Sequence, residues 1–133
     1  MIYLDTCFLI YAVEDPGALG EAARALLRGD DERFAISPLV MTEALVGPLR
    51  RSDETLLHGF GTLFAELELV DLSLSGCLRA TELRAASPSL KTIDALHLAA
   101  AELGGCTALW TNDSRLATAS GGYAVDVFGG QAS

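Results

Sequence analysis

Apolar and polar positions along this chain change period repeatedly, and each change marks an element. Ile2 to Leu4 is an apolar run stopping at Asp5-Thr6, which predicts a buried first strand. Thr6 to Val13 predicts a short helix, halted near Asp15-Pro16-Gly17. Gly20 to Arg28 alternates apolar and charged residues at helical spacing and ends at Gly29-Asp30-Asp31. Phe34 to Ile36 predicts a second strand. Ser37-Pro38 is a helix start, with serine as N-cap and proline at the first helical position, where no amide hydrogen is needed. That helix extends to about Pro48. Ser52 with Thr55 to Glu66 predicts another, weakened by Gly59 and Gly61.

Leu67 to Leu72 predicts a third strand, and Ser73 or Ser75 caps a helix reaching about Ala86. Ser87-Pro88-Ser89 is a loop, and Lys91 to Leu103 is a helix closed by Gly104-Gly105. Thr107 to Trp110 predicts a fourth strand. Thr111-Asn112-Asp113 is a turn into a short helix, Ser114 to Ala119. Tyr123 to Phe128 predicts a fifth strand, and 129–133 a frayed tail. Alternating strands and helices give an α/β fold with a mainly parallel sheet of about five strands. Ligands of such sheets sit beyond the carboxyl ends of the strands. Asp5, Ser37 and Asp113 all fall at that edge.

A length of 133 residues predicts a single domain, 1–133. Apolar residues make up 50% and charged residues 20%, which excludes disorder of the bulk. The formal net charge of −9 excludes a protein that coats nucleic acid through a basic surface. It leaves open a nuclease with a few well-placed arginines, and it raises the question of a cation site. The 3 cysteines form no CxxC pair, so a disulfide framework or zinc ribbon is not expected. A reducing cytoplasm is the expected compartment. The N-terminal apolar run lacks a basic start and carries Asp5, unlike a signal peptide. No run is long enough to span a membrane.

Four carboxylates are candidates for chemistry. Asp5 closes the first strand, either as a helix N-cap or as a metal ligand. Glu43 lies in PLVMTEALVG, a helix apolar nearly all round and so expected to be buried; a solvated surface glutamate is the alternative. Asp94 stands in KTIDALHLAAA, where a buried aspartate needs a partner or a metal. Its alternatives are an i,i+3 pair with Lys91 or a first-turn dipole contact. Asp113 follows the fourth strand, and helix capping is its alternative role. Ser37 and Thr111 also have plain readings, as caps or turn formers. His97 shares a helical face with Asp94; a hydrogen-bonded core histidine is favoured over a metal ligand. His58 has no assigned role. Converging carboxylates repel unless a cation or protonation intervenes. Oxygen donors suit Mg²⁺ or Mn²⁺, and such a site supports metal-assisted phosphodiester hydrolysis.

Four motifs, LDTCFLIY, SPLVMTE, KTIDALHLAAA and TND, stand in an order that resembles PIN-domain ribonucleases of the VapC toxin family. The resemblance spans residues 1 to about 128. It implies a PIN-like three-layer α/β/α fold around an acidic pocket holding Mg²⁺ or Mn²⁺. By position it makes Asp5, Glu43, Asp94 and Asp113 the metal-site and catalytic acids. Thr6, Ser37, Thr111 and Asn112 become supporting polar groups. It further implies an endoribonuclease toxin, an RNA substrate, a homodimer, and a small VapB-like antitoxin whose tail covers the site. Two positions depart from the family: Cys7, where a small polar residue is usual, and Leu116, where an aromatic is common. Arg50, Arg51, Lys91 and Arg115 are cations near the motifs, and none is assigned to RNA. Two rival readings remain. One is a PIN-like module that grips RNA or a protein without cutting. The other is a haloacid-dehalogenase-type phosphatase, which needs an aspartate where Cys7 stands.

Overall fold

A computed structural model describes residues 1–29 and 31–129. Asp30 of the predicted turn and 130–133 of the predicted tail lie outside the described residues. The elements run β1 (Ile2–Leu4), α1 (Thr6–Glu14), α2 (Ala18–Leu27), β2 (Phe34–Ile36), α3 (Pro38–Arg50) and α4 (Glu54–Glu66). They continue with β3 (Glu68–Leu69), α5 (Leu74–Ala86), α6 (Thr92–Leu103), β4 (Ala108–Thr111), α7 (Ser114–Ala119) and β5 (Ala124–Asp126). The 5-stranded sheet has the order β3-β2-β1-β4-β5, and every pairing is parallel. The predicted α/β class therefore holds, and the parallel character is complete.

The central strand explains why its sequence is continuously apolar. β1 is flanked by β2 and β4, with Ile2 opposite both Phe34 and Ala108. Helices cover both faces, so no β1 side chain meets water: Ile2, Tyr3 and Leu4 are all buried. The main core joins β1 to Phe8 and Leu9 of α1, Val40 of α3, Phe60 of α4, Leu98 of α6 and Leu109 of β4. A small satellite of Ala80, Ala95 and Ala99 packs α5 on α6, where short side chains allow close approach. Gly105 ends α6 at φ +83, a left-handed conformation that glycine adopts without a Cβ clash.

Several expectations need correction. The third strand is only Glu68–Leu69, both exposed, at the sheet edge; the ladder continues as one bond, from Val70 N to Ile36 O at 2.8 Å. The fifth strand is trimmed to Ala124–Asp126. Thr111 belongs to β4 and is fully buried, not part of the following turn. Asp53 caps α4, and Ser52 lies before the helix, in the turn, at φ +52. The glutamate helix is not buried all round. Val40, Ala44 and Pro48 face the core, while Val46 and Leu49 are exposed.

Candidate active site

The parallel sheet sends β1, β2 and β4 to the same edge. Asp5, Ser37 and Asp113 follow those strands, and α3 and α6 bring Glu43 and Asp94 alongside.

Asp5 takes its predicted capping role and also reaches across the sheet. Its Oδ1 accepts the Thr6 amide at 2.9 Å, capping α1. Its Oδ2 accepts the Thr111 hydroxyl at 2.8 Å across the β1–β4 seam. The Thr111 hydroxyl oxygen accepts the Asp113 amide at 3.1 Å, which couples the ends of β1 and β4. Asp113 Oδ1 caps α7 through the Leu116 amide at 3.1 Å. Capping and site geometry are compatible because a carboxylate has two oxygens.

Glu43 reaches this edge from α3. Its Oε1 accepts from the Thr6 hydroxyl at 2.7 Å and pairs with His97 Nε2 at 2.7 Å. His97 holds the Glu43 carboxyl below the ordinary carboxylate range, opposed by partial burial and helped by Thr6. His97 Nε2 also lies 4.0 Å from Asp5 Oδ1, so one ring stands between two acids. On its other side His97 Nδ1 meets the Tyr3 hydroxyl at 2.7 Å, which in turn meets Ser37 Oγ at 2.7 Å. Ser37 sits at the N-cap position of α3, yet its side chain makes no cap bond there.

Asp94 and Asp113 form the second half of the edge. Arg115 Nη2 bridges them, at 2.9 Å from Asp94 Oδ2 and 3.1 Å from Asp113 Oδ2. Its Nη1 donates to the Ser89 carbonyl at 2.7 Å, tying the guanidinium to the loop before α6. Asp94 Oδ2 also accepts the Lys91 amide at 3.2 Å. The expected Lys91 partnership is thus a backbone cap, and the ion pair belongs to Arg115.

All four predicted acids therefore join one polar network: Glu43, Thr6, Asp5, Thr111, Asp113, Arg115, Asp94. Of the supporting residues, Thr6 and Thr111 donate directly to acids, and Ser37 acts through Tyr3. Asn112 turns away and donates to Tyr11 Oη at 2.9 Å. Cys7, the departure from the family pattern, places its thiol 3.9 Å from Asp5 Oδ2 and 3.8 Å from Thr111 Oγ1. Burial, with Asp5 beside it, pushes that thiol up to about 12, so it stays protonated. Leu116, the second departure, is buried in the core. Arg51 pairs with Glu14 at 3.4 Å, away from these acids. The sequence pattern does not single out Tyr3, and it leaves Arg115 unassigned. The usable signal for Tyr3 is a hydroxyl inside an otherwise apolar buried strand, since a buried Tyr hydroxyl needs a partner.

Among the described residues, no three His, Cys, Asp or Glu side chains are already gathered as a metal cage. The donor chemistry nevertheless fits a hard divalent ion. The acids offer oxygens only, and the hydrogen bonds to Glu43 and Asp94 described above converge on a single oxygen of each. Both His97 nitrogens are engaged, which argues against a soft-metal role for that ring.

The PIN domain profile matches residues 2–122. The chain belongs to the PIN-domain family. Comparison with curated proteins returns no sequence match for this PIN domain. Among solved structures it resembles a toxin–antitoxin complex from Klebsiella pneumoniae, with TM-score 0.78 and 24% identity over 96% of this chain and 98% of that one. It also resembles VapC20 of Mycobacterium tuberculosis, a toxin that cleaves the sarcin–ricin loop. There the TM-score is 0.76 at 17% identity, over 95% of this chain and 98% of that one. FitAcB of Neisseria gonorrhoeae gives TM-score 0.77 and 18% identity over 97% of this chain and 99% of that one. At these identities the likeness is one of fold. No helix among the described residues of the PIN domain is long and apolar enough to cross a membrane.

Proposed function

We propose that this PIN domain is a metal-dependent endoribonuclease, the toxin half of a toxin–antitoxin pair. The observation that carries the reading is the single hydrogen-bonded network, closed through Thr6, that joins Asp5, Glu43, Asp94 and Asp113 at the carboxyl edge of a PIN sheet. These four acids would hold Mg²⁺ or Mn²⁺. The chemistry such an ion supplies is Lewis-acid polarisation of water and of a phosphodiester oxygen. The chain's own part is orientation. Thr6 and His97 fix Glu43, Thr111 fixes Asp5, and the α7 cap fixes Asp113. The resemblance to proteins solved with antitoxins supports a small antitoxin as partner. Family membership supports RNA as substrate, with homodimerisation and a cytoplasmic site of action as part of the same proposal.

One observation favours a second reading, a non-cutting RNA- or protein-binding module. Arg115 already pairs with Asp94 and Asp113, so charge repulsion between those two acids does not by itself require a metal. Incubating total cellular RNA with purified, antitoxin-free protein and Mn²⁺ separates the readings. Discrete new 5′ ends that vanish without metal and in Asp94→Asn establish the ribonuclease and name its target. No new ends in RNA of the source organism would leave the non-cutting module.

A further inference from the structure

Ser37, Tyr3 and His97 lie under the site, and their protons can be counted. All three are buried, at 0%, 0% and 3% exposure. Among the described residues, Tyr3 Oη is the one hydrogen-bond partner of Ser37 Oγ, at 2.7 Å. A buried hydroxyl proton without an acceptor is costly, so Ser37 donates to Tyr3. The Tyr3 hydroxyl then spends its own proton on its remaining partner, His97 Nδ1 at 2.7 Å. That nitrogen must be an acceptor, so the ring proton sits on Nε2. Nε2 lies 2.7 Å from Glu43 Oε1, and a carboxylate only accepts. The Thr6 hydroxyl donates to the same Oε1 at 2.7 Å.

From this order we infer that Ser37, Tyr3 and His97 form a one-way hydrogen-bond relay that positions Glu43, saturating Oε1 and presenting Oε2 to the divalent ion. The inference rests on the nuclease reading for its purpose, but the proton order stands apart from it. His97 is thus a positioning residue, tied to the sheet through Tyr3. The depressed Glu43 pKa, with His97 as its largest cause, agrees with a donor aimed at the ionised carboxylate. A glutamate on a half-exposed helix face otherwise samples several rotamers. Two donors arriving from α1 and α6 remove that freedom before any ligand binds.

Two measurements test the relay. In the first, ¹⁵N-histidine correlation spectra of the metal-free protein read the His97 tautomer directly. We expect a neutral ring protonated at Nε2, with an Nδ1 resonance that moves in Tyr3→Phe. A proton on Nδ1 in the parent protein overturns the relay, whatever the metal does. In the second, calorimetry with Mn²⁺ compares the parent with Tyr3→Phe and His97→Gln, each checked for folding by circular dichroism. His97→Gln should weaken Mn²⁺ binding by about 10-fold, within the range for lost support of a ligand, and Tyr3→Phe by less. Equal affinity in all three overturns the positioning role. Failure of the parent to bind Mn²⁺ overturns the nuclease reading and with it the purpose of the relay. The spectra alone decide the proton order.

Discussion

The two halves of this acidic edge are stabilised by opposite means. Asp5 and Glu43 are held by buried groups, namely the Thr6 and Thr111 hydroxyls and the His97 ring, itself backed by Tyr3. Asp94 and Asp113 are held by the charged side chain of Arg115, which is 40% exposed. The first arrangement is rigid because its donors are buried and have no competing water. The second is replaceable, because an exposed guanidinium exchanges its partners for solvent at small cost. One half is preorganised and the other can be vacated, which suits the proposed admission of a cation and a phosphate.

The largest expected effect treats both halves alike. Asp5→Asn and Asp94→Asn should each abolish metal-dependent RNA cleavage, a loss of about 10³-fold or more if several kcal/mol of transition-state stabilisation go. Retained cleavage in either variant would remove that half from the chemistry. Retention in Asp5→Asn would also exclude a phosphatase that forms a phospho-enzyme there.

Stability should then separate the halves. His97→Ala leaves the Tyr3 hydroxyl and Glu43 short of a partner and opens a buried space. It should cost about 2–4 kcal/mol in urea unfolding. Arg115→Ala should cost under about 1 kcal/mol, as exposed ion pairs do. Similar losses in both variants would erase the distinction. A finer test is Mn²⁺ affinity. Arg115→Gln removes a fixed positive charge that contacts two proposed ligands, so binding should tighten by about 3- to 10-fold at low salt, and the gain should shrink as salt rises. Weaker binding would show Arg115 to be an organiser of the acids rather than a displaceable counter-charge.

The smallest effect concerns pH. Glu43 is depressed below its ordinary value of 4.5, with His97 the main cause. A depressed carboxylate contributes stability that is fully present above the unfolded value and is lost as pH falls through the folded one. Urea midpoints should therefore fall below about pH 4.5, and the fall should be shallower in Glu43→Gln. An identical pH profile in that variant would assign the acid loss to other carboxylates.

Local signals account for what the sequence disclosed of the fold. β1 is legible to the residue because an apolar triplet runs into a capping aspartate. The start of α3 is legible because proline after serine permits little else. β3 is misread because apolar residues at 67, 70 and 72 point to a strand, while only Glu68 and Leu69 pair in the ladder. Its other residues serve core packing: Leu67 and Leu72 lean on the core and Val70 is buried in it. The four acids are legible as a set because each sits at an element boundary or on an apolar helix. Their partners are not. Tyr3 and His97 are 94 positions apart, and Glu43 and His97 are 54 apart. Helical spacing relates Asp94 to His97, but no spacing rule relates α6 to β1. The turn of Asn112 toward Tyr11 is likewise a cross-element contact.

The pairing of β1 with β4 also orders events in time. Asp5 and the Thr111 hydroxyl that steadies it are 106 positions apart, and the central strand has only one neighbour until β4 exists. Contacts of such long sequence separation form late. During synthesis, a nascent chain that has passed Glu43 but not reached β4 carries Asp5 and Glu43 but neither Thr111 nor Asp113. Until synthesis has passed Asp113, the centre of a protein proposed to cut RNA is thus unassembled.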